Sequence, residues 1–395
     1  MLPRMGSDGF GCEPRRALKR ATSQSPLSRT RIFVVCLLAL TAVFAVLAGL
    51  SWSLGDLRPG TPGLALNRID GYGRPIGPAS SGGRTLVADE GLAASQPTLQ
   101  EGAFGGDDSV ATFKAFAEAT QTSPSIATVY LPADARWVGM DGANGSLAWL
   151  LQNGWSGTPY TLAIGVPMVP KNKLGHPVAT LAKGASGAYD AYFRRLGKTL
   201  VAAGESTAYL RLGWEFDNAQ LFPWGATTPT AESDFAQYFQ QIVTTMRSVK
   251  GEQFKFVWNP DVEAFTSTSY DVGLAFPGSS YVDDIGIDVY DSQTWVNPST
   301  PSTSWSEATL PDLTAAASFA DQYGEPLVVA EWGVEPAGTN VGFGDDPLFM
   351  ANMITWMKNP ANNVAYESYF NGTGSHSLMG STFQASFQTF TQSFG

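Results

Sequence analysis

Only two of the 395 residues are cysteine and two are histidine, and both cysteines, Cys12 and Cys36, fall near the start of the chain. The rest of the chain can build neither a disulfide framework nor a cysteine-ligated zinc site. With His176 and His376 as the sole histidines, a Ser-His-Asp hydrolase or a multi-histidine metal centre lacks parts. Charge is scarce as well, at 15% of residues, with 24 basic against 35 acidic side chains. Seven of the basic residues crowd into positions 1 to 31 beside two acids, so the remainder carries a net −16, which argues against a nucleic-acid partner. No Gly-x-Gly-x-x-Gly follows the first strand-like run and no P-loop occurs, so no nucleotide cofactor is expected. Chemistry falls to carboxylates, with no metal or cofactor in the site.

Apolar surface, by contrast, is plentiful: 44% of the chain is hydrophobic, ample for a packed core. Part of it is one run, Ile32 to Leu54, which holds no charge and is long enough to cross a bilayer as a helix. Arg29 and Arg31 stand just before it, and the excess of basic residues on that side predicts a cytoplasmic head. The expected organisation is a basic cytoplasmic tail over 1–31, a transmembrane signal anchor over 32–54, a Gly/Pro-rich flexible linker over 55–96, and a domain over 97–395 held outside the cytoplasm. Secretion after cleavage of a signal peptide is the rival, but the apolar run exceeds the roughly 7 to 15 residues usual there.

Eight short β-prone runs recur along the main domain: Leu99 to Phe104, Ile126 to Leu131, Thr161 to Met168, Ala208 to Leu212, Phe254 to Trp258, Ile285 to Tyr290, Pro326 to Ala330 and Ala365 to Phe370. Between them lie segments of helical spacing, clearest over Asp108 to Thr120, Gly187 to Ala203, Glu232 to Lys250, Leu313 to Tyr323 and Pro347 to Met357. That alternation predicts an α/β fold, a (β/α)8 barrel. The acid pairs Asp107-Asp108 and Asp345-Asp346 read as loop or helix-start acids in preference to calcium ligands.

In such a barrel the active face lies at the C-terminal strand ends. There the fourth and seventh runs each deliver a glutamate beside a tryptophan, Trp214-Glu215 and Glu331-Trp332. One carboxylic acid that protonates a leaving glycosidic oxygen, and one carboxylate that attacks the anomeric carbon, are the minimum equipment of a retaining glycosidase. Arg211 would hold Glu331 ionised, and Tyr290 would donate to it and orient it. Asp288 shares the strand and the facing of Tyr290, as a substrate contact or an internal structural carboxylate. Trp224, Trp258, Trp295 and Trp332 are candidate platforms for the apolar faces of sugar rings, although any one of them taken alone reads more readily as core, and Asn259 could bond hydroxyls.

Tyr189 to Arg195, the run LRLGWEFDN at 210–218, Phe222-Pro223-Trp224, Lys255 to Pro260, Pro277-Gly278, Tyr281-Val282-Asp283, Ile285 to Tyr290 and the AEWG at 330–333 together resemble glycoside hydrolase family 26, over about residues 100 to 372. That resemblance implies a clan A barrel that hydrolyses β-linked glycans with retention, Glu215 being the acid/base and Glu331 the nucleophile. Mannan-cleaving members typically read His-Glu-Met-Asn-Gly around the acid/base; Trp214 and Asp217 replace that histidine and asparagine here, next to Asn218. Trp214, Asp217 and Asn218 are therefore candidate substrate contacts that shift specificity away from mannan. The expected activity is an endo-acting glycosidase, mannanase-like or directed at a bacterial exopolysaccharide, with a monomeric catalytic domain and a polysaccharide as partner. A non-catalytic carbohydrate-binding barrel, or a transglycosylase using the same residues, are the alternatives.

Overall fold

A computed structural model describes residues 98–133, 136–140, 147, 150–291, 300–338, 342–372 and 375–395. The expected tail, anchor and linker, like Trp295, lie outside the described residues. Among the described residues no helix is long and apolar enough to cross a membrane.

All eight strand candidates form, and they close in sequence order into a parallel barrel: β1 (Gly102–Phe104), β2 (Ile126–Tyr130), β3 (Thr161–Val166), β4 (Tyr209–Leu212), β5 (Lys255–Trp258), β6 (Asp284–Tyr290), β7 (Leu327–Gly333) and β8 (Val364–Phe370). Parallel strands covered on both faces read as near-continuous apolar runs, as TLAIGV of β3 does. Along each strand the facing alternates. Ile126, Ala163, Tyr209, Val257, Val328, Ala330 and Tyr366, all from strands, pack together inside the barrel. The other face joins the large core under the helices.

Six longer helices surround the strands: α1 (Val110–Thr120), α2 (Asp190–Ala203), α3 (Pro229–Arg247), α4 (Leu310–Tyr323), α5 (Pro347–Lys358) and α6 (Gln384–Phe394). Local capping sets several ends. Thr228 accepts from the Ala231 amide ahead of Pro229, so α3 starts earlier than its apolar spacing suggests. Asp346 accepts from the Leu348 and Phe349 amides and caps α5, while Asp345 accepts from the Ala385 and Ser386 amides at α6, so both acids act at helix starts.

One irregularity bears on the site. Val329 lies opposite Ile287 but Glu331 lies opposite Asp288, so Ala330 is an extra residue in β7. A bulge of this kind breaks the two-residue alternation and re-aims the side chains beyond it. Ala330 faces the interior, and Glu331, next in line, turns to the barrel centre too, so Trp332 turns outward against Phe390.

Buried acids give the barrel a pH-dependent stability. Asp284 is fully buried with neither oxygen hydrogen-bonded, and burial pushes its carboxyl up to about 7. Burial likewise pushes Glu367 up to about 8, although the Trp332 indole and the Gly102 amide donate to it. Each holds its proton more tightly folded than unfolded, so its contribution is complete below the ordinary carboxylate range and is lost as pH climbs to about 8. The melting temperature is expected to be about 5 °C or more higher at pH 5 than at pH 8, and Glu367→Gln should flatten that slope. A melting temperature that rises between those pH values would contradict the assignment.

Candidate active site

Where β4 ends, the backbone leaves the strand through two left-handed residues, Gly213 at φ +58° and Glu215 at φ +49°. Glycine takes this conformation freely, whereas for glutamate it is sparsely populated and must be held by its surroundings. The Glu215 amide donates to the Asn259 carbonyl at 2.8 Å, and the Asn218 amide donates back to the Glu215 carbonyl at 2.9 Å. These contacts present the Glu215 carboxyl over the barrel mouth.

Glu331 stands across the mouth with donors on both oxygens. Tyr130 donates to Oε1 at 2.7 Å, Tyr290 donates to Oε2 at 2.8 Å, and Arg211 Nη2 lies 2.9 Å from Oε1. The charge and orientation expected of Arg211 and Tyr290 are thus present as geometry, and Tyr130 adds a third donor. Arg211 itself is fully buried and fully used: Nε donates to Asn259 Oδ1 at 2.7 Å, Nη1 to the Tyr130 hydroxyl at 3.1 Å, and Nη2 to both oxygens of Asp288 at 2.9 and 2.8 Å. Removing it strands two carboxylates. Arg211→Met is expected to cost about 3–5 kcal/mol in denaturant unfolding, because breaking a buried pair leaves the partner charge uncompensated; a loss well under 1 kcal/mol would contradict that role.

The acids divide by environment. Burial raises the Glu215 carboxyl well above its ordinary range, and the facing Glu331 and Asp288 raise it further, against the opposing pull of Arg211. Glu215 thus holds its proton more tightly than an ordinary carboxyl and faces Glu331, whose two oxygens meet three donor groups. Asp217 is raised by burial despite accepting from the Asp261 amide at 3.0 Å and the Tyr270 hydroxyl at 3.0 Å. Carboxylate oxygens of Glu215, Asp261 and Asp288 lie within 4.8 Å of one another, the spacing of a cation site. Of the three, Asp288 already gives both oxygens to the Arg211 guanidinium.

Several expected sugar contacts lie elsewhere. Trp224, Trp258 and Trp332 are fully buried, and Trp214 is 9% exposed. Strand alternation explains two of them: Val257 faces inward, so Trp258 points out to stack on Phe319, and the bulge sends Trp332 the same way. Trp224 packs in the loop after β4, its indole donating to the Trp214 carbonyl at 2.8 Å. They support the site floor and offer no ring face to a sugar. Asn259 and Asp288 are also buried, and both serve Arg211, so they position the site and make no substrate contact. Asp217 and Asn218 do line a cavity beside Glu215.

Among the described residues, phenylalanines and tyrosines gather at the mouth. Phe104 stacks on Phe370 with ring centroids 4.7 Å apart, Tyr130 meets both edge-on, and all three are partly exposed. His376 packs 4.7 Å from the Tyr290 ring, with Nδ1 3.0 Å from the Val334 carbonyl. Burial keeps this histidine below its ordinary pKa, and a carbonyl only accepts, so Nδ1 carries the proton and Nε2 is left as an acceptor. Tyr130 and His376 come from β2 and the loop after β8, and no spacing in the sequence ties them to Glu331.

Comparison with known proteins bears on the same elements. Residues 210–320 match the sequence model of Glycosyl hydrolase family 26. That stretch carries Arg211, Glu215, Asn259, Asp288 and Tyr290, and Glu331 lies beyond it. A mannan endo-1,4-beta-mannosidase of Bifidobacterium adolescentis is 27% identical over 189 residues, which is 45% of this chain and 18% of that protein. The match therefore spans less than a fifth of the relative's length. Among solved structures, a modular endo-beta-1,4-mannanase from Cellulomonas fimi aligns with a TM-score of 0.53 at 18% identity, covering 75% of this chain and 70% of the other. The catalytic domain of a family 26 endo-beta-1,4-mannanase from Bacillus sp. JAMB-750 aligns with a TM-score of 0.51 at 16% identity, covering 74% and 85%. Identities this low establish the shared barrel. The resemblance of this chain to family 26 thus holds in both sequence and fold.

Proposed function

We propose that the chain is a retaining, endo-acting glycoside hydrolase that cleaves a β-linked polysaccharide by double displacement. The observation that carries this reading is the pairing at the barrel mouth of Glu215, half-buried with its carboxyl raised, with Glu331, held by Arg211, Tyr130 and Tyr290. Glu215 gives its proton to the glycosidic oxygen as Glu331 bonds to the anomeric carbon and the leaving chain departs with its electron pair. A water then attacks the same carbon, Glu215 takes its proton, and the bond to Glu331 breaks. No cofactor enters either step.

Mannan is the substrate named for the relatives, but Trp214 and Asp217 stand where mannan-cleaving members carry histidine and asparagine. The reading therefore covers mannan-like polymers and bacterial exopolysaccharides alike. The apolar run over 32–54 and its basic flank support a membrane-anchored enzyme whose barrel works outside the cytoplasm. The test is a screen of the protein for new reducing ends on mannans, xylans, mixed-linkage glucans and bacterial exopolysaccharides. Release from at least one is expected, and release from none would remove the reading.

A further inference from the structure

Beside Glu215, over the ends of β5 and β6, lies a cavity of about 770 Å³. Among the described residues that line it, five are carboxylates, Asp217, Asp261, Glu263, Glu307 and Asp312, and none is lysine, arginine or histidine. The imbalance runs deeper than the lining. Between Lys255 and Lys358 the sequence contains fifteen acids and no basic residue of any kind, so no side chain from this half of the barrel, wherever its loops lie, can neutralise the cavity.

Asp261 sharpens the point. Its carboxylate accepts no hydrogen bond from any described residue, lines the cavity, and lies within 4.8 Å of the carboxylates of Glu215 and Asp288. Arg211, which pairs with the neighbouring Asp288, is already spent on Asp288 and Glu331. Asp261 is half-buried and without a partner, and desolvation with the facing acids pushes its carboxyl well above its ordinary range. Asp217, satisfied by Tyr270 and by the Asp261 amide, shows what a compensated acid looks like in the same cavity.

We infer that this arm of the cleft binds a sugar bearing a free ammonium group, so that the polymer cleaved is a β-linked glycan containing de-N-acetylated hexosamine. The inference rests on the glycosidase reading and narrows its substrate. An ammonium brings one positive charge and three donors, which matches an acid lacking both compensation and a donor. A hexose hydroxyl or an N-acetyl amide supplies a donor only. Threonine and serine hydroxyls at 266–269, on the cavity wall, remain for the ring hydroxyls.

The experiment measures binding to the full chain carrying Glu331→Ala, by calorimetry. The probes are β-1,4- and β-1,6-linked glucosamine oligomers, each free or fully N-acetylated, and neutral mannan oligomers. The free amine form is expected to bind at least about tenfold more tightly than its acetylated counterpart, an advantage that shrinks as salt rises. Adding Asp261→Asn with Glu263→Gln should erase the difference while leaving the acetylated oligomers bound as before. Equal or tighter binding of the acetylated forms, binding of no oligomer, a preference that survives the double substitution, or one that requires a divalent cation would each overturn the inference. Cleavage by the unsubstituted chain separates the two readings. Cutting of neutral polymers alone overturns this inference and leaves the hydrolase intact, whereas amine-selective binding with no cutting of any polymer overturns the hydrolase alone.

Discussion

Glu331→Ala is expected to lower kcat on the responsive polysaccharide by about 10^4-fold or more, with the barrel still folded. The side chain removed is the one that receives Tyr130, Tyr290 and Arg211 at 2.7, 2.8 and 2.9 Å, contacts that hold its carboxyl oriented at the mouth. Folding survives because Arg211 keeps Asp288 and Asn259. A small anion such as azide can enter the vacated space and attack the anomeric carbon from the nucleophile's side, yielding the inverted glycosyl azide. Partial rescue of that kind distinguishes a lost nucleophile from a damaged fold, and unchanged activity in the variant would remove Glu331 from the chemistry.

Glu215→Ala should slow polysaccharide cleavage by about 10^2- to 10^4-fold, the usual worth of a positioned general acid. Its effect should depend on the leaving group. An aryl glycoside with an acidic phenol departs without a proton, so bond cleavage is nearly preserved and the glycosyl-enzyme accumulates, whereas Glu331→Ala is inactive on both substrates. The pH profile carries a second signature. Burial and the facing carboxylates raise Glu215, so activity of the unsubstituted protein persists above the ordinary carboxylate range and falls only when Glu215 loses its proton. In Glu215→Ala that alkaline limb should vanish. A limb retained without Glu215 would assign it to another group.

The barrel was legible in the sequence because parallel strands buried on both faces leave dense apolar runs, and eight such runs separated by helical spacing admit few other folds. Strand ends were less legible where tertiary pairing overrides pattern, as at β1, whose first apolar residue Leu99 lies outside the strand, and at β7, which continues through Glu331 to Gly333. The pair Glu215 and Glu331 could be read because each follows an apolar run beside a tryptophan, in motifs that resemble family 26, with Arg211 and Tyr290 close by on β4 and β6. The tryptophans misled for the opposite reason. A strand-end position does not say which face a side chain takes, and alternation at Trp258 and the bulge before Trp332 turn both indoles into the core. Tyr130, His376 and the unpartnered Asp261 matter only through contacts between distant segments, which no local pattern records.

The most direct test of the double-displacement account is the anomeric configuration of the first-formed reducing end, followed by proton NMR from the moment the protein meets the polysaccharide it cleaves. The account predicts the β-anomer first, with the α-anomer appearing only at the rate of mutarotation. Initial release of the α-anomer would mean a single displacement by water, and would contradict Glu331 as the nucleophile.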